Sequence, residues 1–196
     1  MAQSGRVFLQ DIRVAVLISD GFEEIELNEP LQDLQSAGAV VEILAQTQSQ
    51  MQRGVQGMNG MRMTQLVSPR AMIQDVSPER YQGVLVPGGV MSVDHMRESR
   101  LHLGFLQNFF AAGKPIGLIG HAPWLLADSG VAQGRTLTSA PSIQKDLERA
   151  GAIWKDQEVI VDTNVITSRG LQDVPRFCQA FMDELGHLYR SGSRVA

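Results

Sequence analysis

Short, continuous apolar runs alternate with segments of helical periodicity along most of this chain, and few folds accommodate that order. Val14 to Ile18 is apolar throughout and is bounded by Arg13 and Asp20, a pattern typical of a strand buried on both faces. Leu27 to Ala37 follows, with leucines at helical spacing, a proline in its first turn and a glycine directly after it. Val40 to Ala45 is a second apolar run, so the opening of the chain predicts a β-α-β unit.

The same alternation continues in the second half of the chain. The predicted strands there are Gly83 to Val86, Ile116 to Ile119, Thr136 to Ser139, Val159 to Asp162 and Val165 to Thr167. The predicted helices are Arg100 to Ala112, Pro123 to Ser129, a helix capped by Ser142 that runs to Ala150, and a closing helix from Asp173 to Tyr189 with Val174, Phe177, Phe181, Leu185 and Leu188 facing inward. For residues 46–81 we expect short strands or a hairpin with loops. This order predicts a doubly wound α/β sandwich with a mainly parallel sheet.

Length and composition limit the classes of protein that the chain can belong to. Its 196 residues suit one domain over residues 12–189, with an extension at 1–11 and a tail at 190–196. The formal net charge of -4 argues against a nucleic-acid partner. No apolar run approaches the roughly 20 residues of a membrane span, so we expect no membrane association. The single cysteine excludes an intramolecular disulfide and a cysteine-based zinc site, and it fits a cytoplasmic protein.

The candidate site follows from the predicted topology. In doubly wound sheets, ligands bind beyond the carboxyl ends of the strands. The segments that follow predicted strands include Gly21 to Glu26, Gly88-Gly89, Gly120 to Pro123, and Ser139 to Ser142. We therefore expect these four segments to meet at one rim of the sheet, and we expect any chemistry to occur there.

Common cofactor and metal motifs are missing from the sequence. No G-x-G-x-x-G follows a strand, and Gly113-Lys114-Pro115 lacks the rest of a P-loop. No H-E-x-x-H and no histidine cluster with metal-ligand spacing occurs, so the sequence predicts neither a cofactor nor a metal. Residues 116–124 have the strand-turn-helix pattern of a nucleophile elbow, yet the turn reads Gly120-His121-Ala122-Pro123, without a serine or cysteine at its apex.

Several motifs at and near the rim occur together in a fixed order. They are Asp20-Gly21-Phe22-Glu23-Glu24-Ile25-Glu26-Leu27, Leu85-Val86-Pro87-Gly88-Gly89-Val90-Met91 with Asp94 and Arg97, Gly113-Lys114-Pro115-Ile116, His121-Ala122-Pro123-Trp124-Leu125-Leu126, Thr138-Ser139 with Pro141-Ser142-Ile143, Asp156-Gln157-Glu158-Val159, and Thr167-Ser168-Arg169. Over residues 12–187 this order resembles the PfpI family of the ThiJ/PfpI superfamily. The resemblance implies a class I glutamine amidotransferase-like fold, a flavodoxin-like three-layer sandwich, and a homo-oligomer, either a dimer or a larger assembly.

The resemblance also implies roles for individual residues. The nucleophile of the family is a cysteine at the elbow, directly before a histidine; in this chain Gly120 occupies the cysteine position and His121 is the histidine. Glu26 matches the carboxylate that contacts the cysteine, and Glu23 lies one turn away on the same face. Asp94 matches an acidic residue that reaches the histidine from a neighbouring subunit.

The same resemblance implies a set of binding residues around this constellation. They are Gly88, Gly89, Ala122, Pro123 and Ala140. The backbone N–H groups of Gly89 and His121 are expected to form an oxyanion hole. Ala140 departs from the family, which often has an aromatic residue at that position.

Members of the family are described as cysteine peptidases, as glyoxalases or protein deglycases, and as stress-response proteins. Glycine keeps the geometry of the elbow but removes the thiolate. We therefore expect a stress-associated protein of this type whose cysteine-dependent chemistry is lost or disabled and whose pocket binds a small carbonyl compound or a peptide. Two alternatives stay open: an enzyme that uses Glu26 and His121 as acid and base on small carbonyl substrates, and a non-enzymatic oligomeric stress or scaffold protein.

Other chemically capable residues have structural interpretations. Cys178 is expected to be a small buried hydrophobic residue on the last helix. Surface or helix-face positions are expected for His95, His102 and His187; turn and cap roles for Ser139 and Ser142; and core or interface packing for Met51, Met58, Met61, Met63 and Met72.

Overall fold

The computed structural model describes residues 8–192. Its strands are β1 (Arg13–Leu17), β2 (Phe22–Glu23), β3 (Val40–Ala45), β4 (Val55–Asn59), β5 (Arg62–Val67), β6 (Ala71–Met72), β7 (Gly83–Val86), β8 (Ile116–Ile119), β9 (Thr136–Leu137), β10 (Ile153–Trp154), β11 (Val159–Asp162) and β12 (Val165–Ser168). Its α-helices are α1 (Glu24–Ser36), α2 (Gln48–Arg53), α3 (Val90–Arg97), α4 (Arg100–Ala111), α5 (Trp124–Asp128), α6 (Gln144–Arg149) and α7 (Val174–Gly192). Leu9, in the predicted extension, is buried in the core.

A seven-stranded sheet forms the centre of the fold. Its strand order is β11-β12-β8-β7-β1-β3-β6, and every neighbouring pair is parallel except β11 and β12, which pair antiparallel. The chain runs outward from β1 through β3 to β6, and it then returns to β7 on the other side of β1. The strand order therefore reverses between β1 and β7, which is the position where doubly wound sheets bind ligands.

Helices cover both faces of this sheet. Alternate side chains of β1 enter different apolar clusters, with Ala15 and Leu17 on one face and Val14 and Val16 on the other, as strand periodicity requires. The first cluster contains buried residues of α3, α4, α5 and α6, and the second contains those of α1 and α7. The result is a three-layer α/β sandwich with a mainly parallel sheet, which confirms the predicted fold class.

A smaller sheet lies beside the carboxyl end of β1. Its order is β2-β4-β5, with β4 and β5 forming an antiparallel hairpin. Gly21 donates its backbone N–H to the carbonyl of Gln56 at 2.8 Å, which ties this sheet to the loop after β1. The prediction of short strands or a hairpin within residues 46–81 is confirmed.

Two helices were not predicted from the sequence. The first is α2, which begins with a capping box between Thr47 and Gln50, a sequence signal that was present but not used. The second is α3, which begins at the Gly88-Gly89 segment and buries only Ser92, Val93 and Met96. So few inward positions give little helical periodicity in the sequence.

The predicted cap at Ser142 is wrong. A 3-10 turn at Pro141–Ile143 precedes α6, and Ile143 occupies the N-cap position of α6 without a side-chain hydrogen bond. The hydroxyl of Ser142 contacts the ring of His121 instead.

The burial predictions gave mixed results. The prediction that Cys178 is buried is confirmed, and burial raises the pKa of its thiol. His102 was expected on the surface or on a helix face. It lies on the buried face of α4 and is 0% exposed, so the surface alternative is wrong. Burial lowers the pKa of His102 to about 4. Leu188 is exposed rather than inward-facing. Met72 is buried, but Met61 and Met63 are exposed on the β4–β5 hairpin and fill no core gap.

Among the described residues, no helix combines the length and the apolar character needed to cross a membrane.

Candidate functional site

The four segments predicted to form the rim do meet there, around a cavity of about 440 Å³. Two further segments, the β4–β5 hairpin and the loop after β12, also contribute to its wall. The cavity is lined by Gly21, Glu23, Glu26, Met58, Gly60, Gly89, Val90, Met91, Gly120, His121, Ala140, Arg169, Gly170 and Leu171.

Glu26 is the most buried ionisable group in this wall. It lies in the first turn of α1, on the face that also buries Leu27, Pro30 and Leu34, and it is 4% exposed. One carboxylate oxygen, Oε2, accepts a hydrogen bond of 2.7 Å from the backbone N–H of Gly88. Burial raises the pKa of Glu26 to about 7; the hydrogen bond from Gly88 opposes this shift, and the nearby charge of Glu23 adds to it. Glu26 can therefore gain or lose a proton near neutral pH.

The Gly88-Gly89 segment allows the loop after β7 to approach the loop after β1 closely. Gly89 has φ +96° and precedes α3, and a Cβ on it would overlap the carbonyl oxygen of Gly21. Gly88 accepts a hydrogen bond of 3.1 Å from the backbone N–H of Glu23. Glycine is required at residue 89 because of its positive φ and because a Cβ there would overlap the backbone of Gly21.

Gly120 forms the elbow between β8 and α5. Its φ is +62°, its N–H donates to the carbonyl of Ser168 at 3.0 Å, and its own carbonyl accepts from the N–H of Ala140 at 2.8 Å. A Cβ at this position would lie 3.0 Å from Oε1 and 3.1 Å from Oε2 of Glu26. The carboxyl group thus faces the space that a side chain at residue 120 would occupy.

His121 follows the elbow and is half-buried. Its Nε2 atom lies 3.0 Å from the hydroxyl oxygen of Ser142, a hydrogen-bonding distance. Burial lowers the pKa of His121 below its ordinary value of 6.5, so the ring is mainly neutral at physiological pH and can accept a proton.

Glu23 is the second carboxyl group of the cavity. It is half-buried at the end of β2, where its Oε2 accepts a hydrogen bond of 3.3 Å from the N–H of Gly60. Burial raises the pKa of Glu23; the bond from Gly60 opposes this shift, and the charge of Glu24 adds to it. The structure brings Glu23 and Glu26 to one cavity, but Glu23 ends β2 and precedes α1, so it does not share a helix face with Glu26 as predicted.

Arg169 is a residue of the cavity wall that was not predicted from the sequence. Arg169 follows β12, and the rule that sites lie at the carboxyl ends of parallel strands would have found it. Its Nε and Nη2 donate to the two carboxylate oxygens of Asp173 at 2.8 and 2.9 Å, and its Nη1 donates to Asp156 at 2.9 Å. These carboxylates raise the pKa of Arg169. The other lining residues that were not predicted, either as site residues or within the four rim segments, are Met58, Gly60, Val90, Met91, Gly170 and Leu171.

Four predicted site residues do not line the cavity: Gly88, Asp94, Ala122 and Pro123. Gly88 still contacts the site, because its N–H donates to Glu26. Ala122 and Pro123 are buried at the start of α5. Asp94 is exposed on α3, where it lies 4.0 Å from the guanidinium of Arg97. A role for Asp94 at a neighbouring subunit's histidine stays a prediction.

Within residues 8–192, no group of three or more histidine, cysteine, aspartate or glutamate side chains could hold a metal ion. The site in this chain therefore consists of two carboxyl groups, the ring of His121 and the ion-paired guanidinium of Arg169, arranged around the glycine elbow. The fold and this elbow define a class of protein: a flavodoxin-like α/β protein with its site at the carboxyl edge of the sheet, around the turn between β8 and α5.

Comparison with known proteins identifies the family. The model of the DJ-1/PfpI family matches residues 12–184, and the chain belongs to this family. The protein/nucleic acid deglycase 2 of Escherichia coli K12 is 34% identical over 175 residues, which cover 89% of this chain and 98% of that protein. A protein of Staphylococcus epidermidis is 36% identical over 175 residues, covering 88% of this chain and 97% of its own length.

Solved structures agree with this assignment. Drosophila melanogaster DJ-1beta matches with a TM-score of 0.79 and 28% identity, covering 94% of this chain and 98% of that one. A two-domain protein of Anabaena variabilis, with a DJ-1/ThiJ/PfpI-like and a ferritin-like domain, matches with a TM-score of 0.81 and 30% identity. The match covers 89% of this chain and 48% of the Anabaena chain.

Proposed function

We propose that this chain is a stress-associated DJ-1/PfpI protein in which cysteine-dependent chemistry is lost and the pocket binds a small carbonyl compound or a peptide. One observation supports this most directly: the elbow residue is Gly120, and the carboxyl group of Glu26 faces the space beside its Cα. Covalent catalysis of the cysteine type needs a thiolate at that point.

The remaining cysteine is a poor substitute. Cys178 is buried on α7, it does not line the cavity, and burial raises the pKa of its thiol. A thiol that is buried and protonated is inert toward substrates. The similarity to a protein/nucleic acid deglycase over 89% of the chain supports small carbonyl compounds as the ligand class.

A paired assay tests the proposal. The parent and the Gly120→Cys variant receive methylglyoxal or a fluorogenic peptide, and loss of aldehyde and peptide cleavage are followed. We expect activity only in the variant. Gly130→Cys is the matched control, because Gly130 also has a positive φ of +76° but has no atom near its missing Cβ and lies outside the cavity. Activity in the parent, or equal activity in both cysteine variants, would contradict the proposal.

A second function has its own supporting observation. Glu26 has a pKa of about 7 and shares the cavity with His121, whose pKa burial lowers. Such a pair can exchange protons with an enolisable carbonyl compound at neutral pH without a covalent intermediate. Turnover of methylglyoxal by the parent, with a pH dependence that disappears in Glu26→Gln, would establish this function in place of the first.

We further propose that the protein acts as a homo-oligomer in which Asp94 reaches the histidine of a neighbouring subunit. Asp94 is 69% exposed on α3, and Val90 and Met91 of the same helix are exposed at the cavity. Light scattering should give a dimer or a larger assembly. A monomer would remove Asp94 from the site.

A further inference from the structure

The inner wall of the cavity offers hydrogen-bond acceptors that the protein itself does not fully use. Oε2 of Glu23 and Oε2 of Glu26 each accept one backbone N–H, from Gly60 and Gly88 respectively. Oε1 of Glu23 is buried and has no hydrogen-bond partner within residues 8–192. Oε1 of Glu26 faces the space beside Gly120. A desolvated acceptor without a partner costs free energy. Oε1 of Glu23 is closed off from solvent, so a hydrogen-bond donor in the cavity reaches Oε1 of Glu26 and the accessible part of the half-buried Glu23.

Among the described residues, Arg169 is the one cationic side chain in the cavity wall, and it does not offset these acceptors. Arg169 is held by both oxygens of Asp173 and by Asp156, so this group of three side chains is net negative. Two further carboxyl groups, Glu23 and Glu26, line the same cavity. The charged side chains of the wall therefore favour a cation over an anion.

Next to these acceptors the cavity is apolar. Met58, Val90, Met91 and Leu171 line it, and Met58 is the cross-strand partner of Glu23 in the small sheet. Residues directly opposite on neighbouring strands project from the same face, which brings a thioether beside the carboxyl group of Glu23. A ligand that matches both parts of the wall has a charged donor at one end and a short hydrocarbon chain at the other.

We propose that the cavity binds a primary alkylammonium group, with its N–H donors directed to Glu23 and Glu26 and its alkyl chain against the methionine-lined wall. The inference rests on the proposed function only in taking this cavity as the ligand site. It adds a further class of ligand, a primary amine in its charged form. An ammonium group has three donors and a full positive charge. It therefore suits the carboxyl groups of Glu23 and Glu26, each of which accepts only one backbone N–H from the described residues. A carboxylate would bring a third negative group to the same wall.

The test is an NMR titration of the ¹⁵N-labelled protein at about pH 7.5 with n-butylamine hydrochloride, sodium butyrate and n-butanol. These probes share one alkyl chain and differ in charge. The amides of Gly60 and Gly88 are the reporters, because they donate to the two carboxyl groups. We expect butylammonium to shift both amides in a saturable way, and we expect butyrate and butanol to shift them far less.

Two variants test the carboxyl groups separately. Hydrogen bonds to a charged group are stronger than neutral ones, so Glu26→Gln and Glu23→Gln should each weaken butylammonium binding by at least about tenfold. Glu98→Gln, at an exposed position on the end of α3, should leave the affinity unchanged. Glu23 is only half-buried, so its variant serves if Glu26→Gln fails to fold.

Three results would overturn the inference: no saturable shift with butylammonium, equal or tighter binding of butyrate or butanol, or unchanged affinity in the folded glutamine variants. The methylglyoxal assay fails or succeeds independently, because butylamine has no carbonyl group. Butylammonium binding without any response to methylglyoxal would refute the proposed carbonyl ligand and retain the amine site.

Discussion

Substitution of Glu26 by glutamine should change how the stability of the protein depends on pH. The native pKa of Glu26 is about 7, against an ordinary value of 4.5, and burial is the main cause. Below pH 4.5 both the native and the unfolded chain keep the proton. Between pH 4.5 and 7 the unfolded chain has lost it and the native chain has not, so the native state is destabilised as the pH rises. Above pH 7 both states are ionised and this contribution is constant.

The size of the effect follows from the shift in pKa. Each pH unit is equivalent to about 1.4 kcal/mol, so the free energy of unfolding of the parent should lose roughly 3 kcal/mol through this group between pH 4.5 and 7. Glutamine keeps the carbonyl that accepts from Gly88 and has no proton to lose. The stability of Glu26→Gln relative to the parent should therefore rise with pH and level off above pH 7.

Urea unfolding followed by tryptophan fluorescence measures this difference at intervals between about pH 5 and pH 8. The quantity of interest is the change in the variant-minus-parent free energy with pH, because a constant offset reflects only the altered packing of an amide. Glu98→Gln, which changes an exposed carboxyl group, should give a nearly flat difference. A flat difference for Glu26→Gln as well would refute the reasoning that burial holds Glu26 protonated.

Two further predictions concern positions outside this titration. Gly120→Ala and Gly130→Ala both place a Cβ at positive φ, which costs roughly 1–2 kcal/mol of stability. Gly120→Ala should lose more stability than Gly130→Ala, because its Cβ would lie 3.0 Å from Glu26. Equal melting temperatures for the two variants would contradict that contact. His102→Leu should stabilise the protein most in acid, because the pKa of buried His102 is about 4 against an ordinary 6.5. The free energy of unfolding of the parent therefore falls by up to about 3 kcal/mol as the pH falls through that interval. An acid-unfolding midpoint that is the same in parent and variant would contradict this.

Much of the site could be predicted because topology and local pattern agree there. The apolar runs of β1, β7 and β8 mark buried parallel strands, and the rule for ligand sites then selects the loops that follow them. Gly120 and His121 lie at the elbow, and Glu26 faces them, as the order of motifs implied. Arg169 was missed although it also follows a parallel strand, because its motif was used only to support the resemblance.

Other features depend on packing that no local pattern reports. His102 lies at helical spacing from Phe105, Leu106 and Phe109 on the buried face of α4, yet its side-chain type suggested the surface. Met61 and Met63 are apolar by type and exposed in this chain. In both cases the register of the element decides burial, and the chemical type of the residue indicated the wrong environment.

His102 and Glu26 also show why the pH dependence of the intact protein is a weak test of either group. Between pH 4.5 and 6.5 the native histidine lacks a proton that the unfolded chain binds, and the native glutamate keeps one that the unfolded chain has lost. The two slopes have opposite signs and similar size, about 1.4 kcal/mol per pH unit each. Their contributions therefore cancel in the parent, and both are absent from the Glu26→Gln/His102→Leu double variant. Each single variant alone should reveal the slope of the other group, with stability rising with pH in Glu26→Gln and falling with pH in His102→Leu, relative to the double variant.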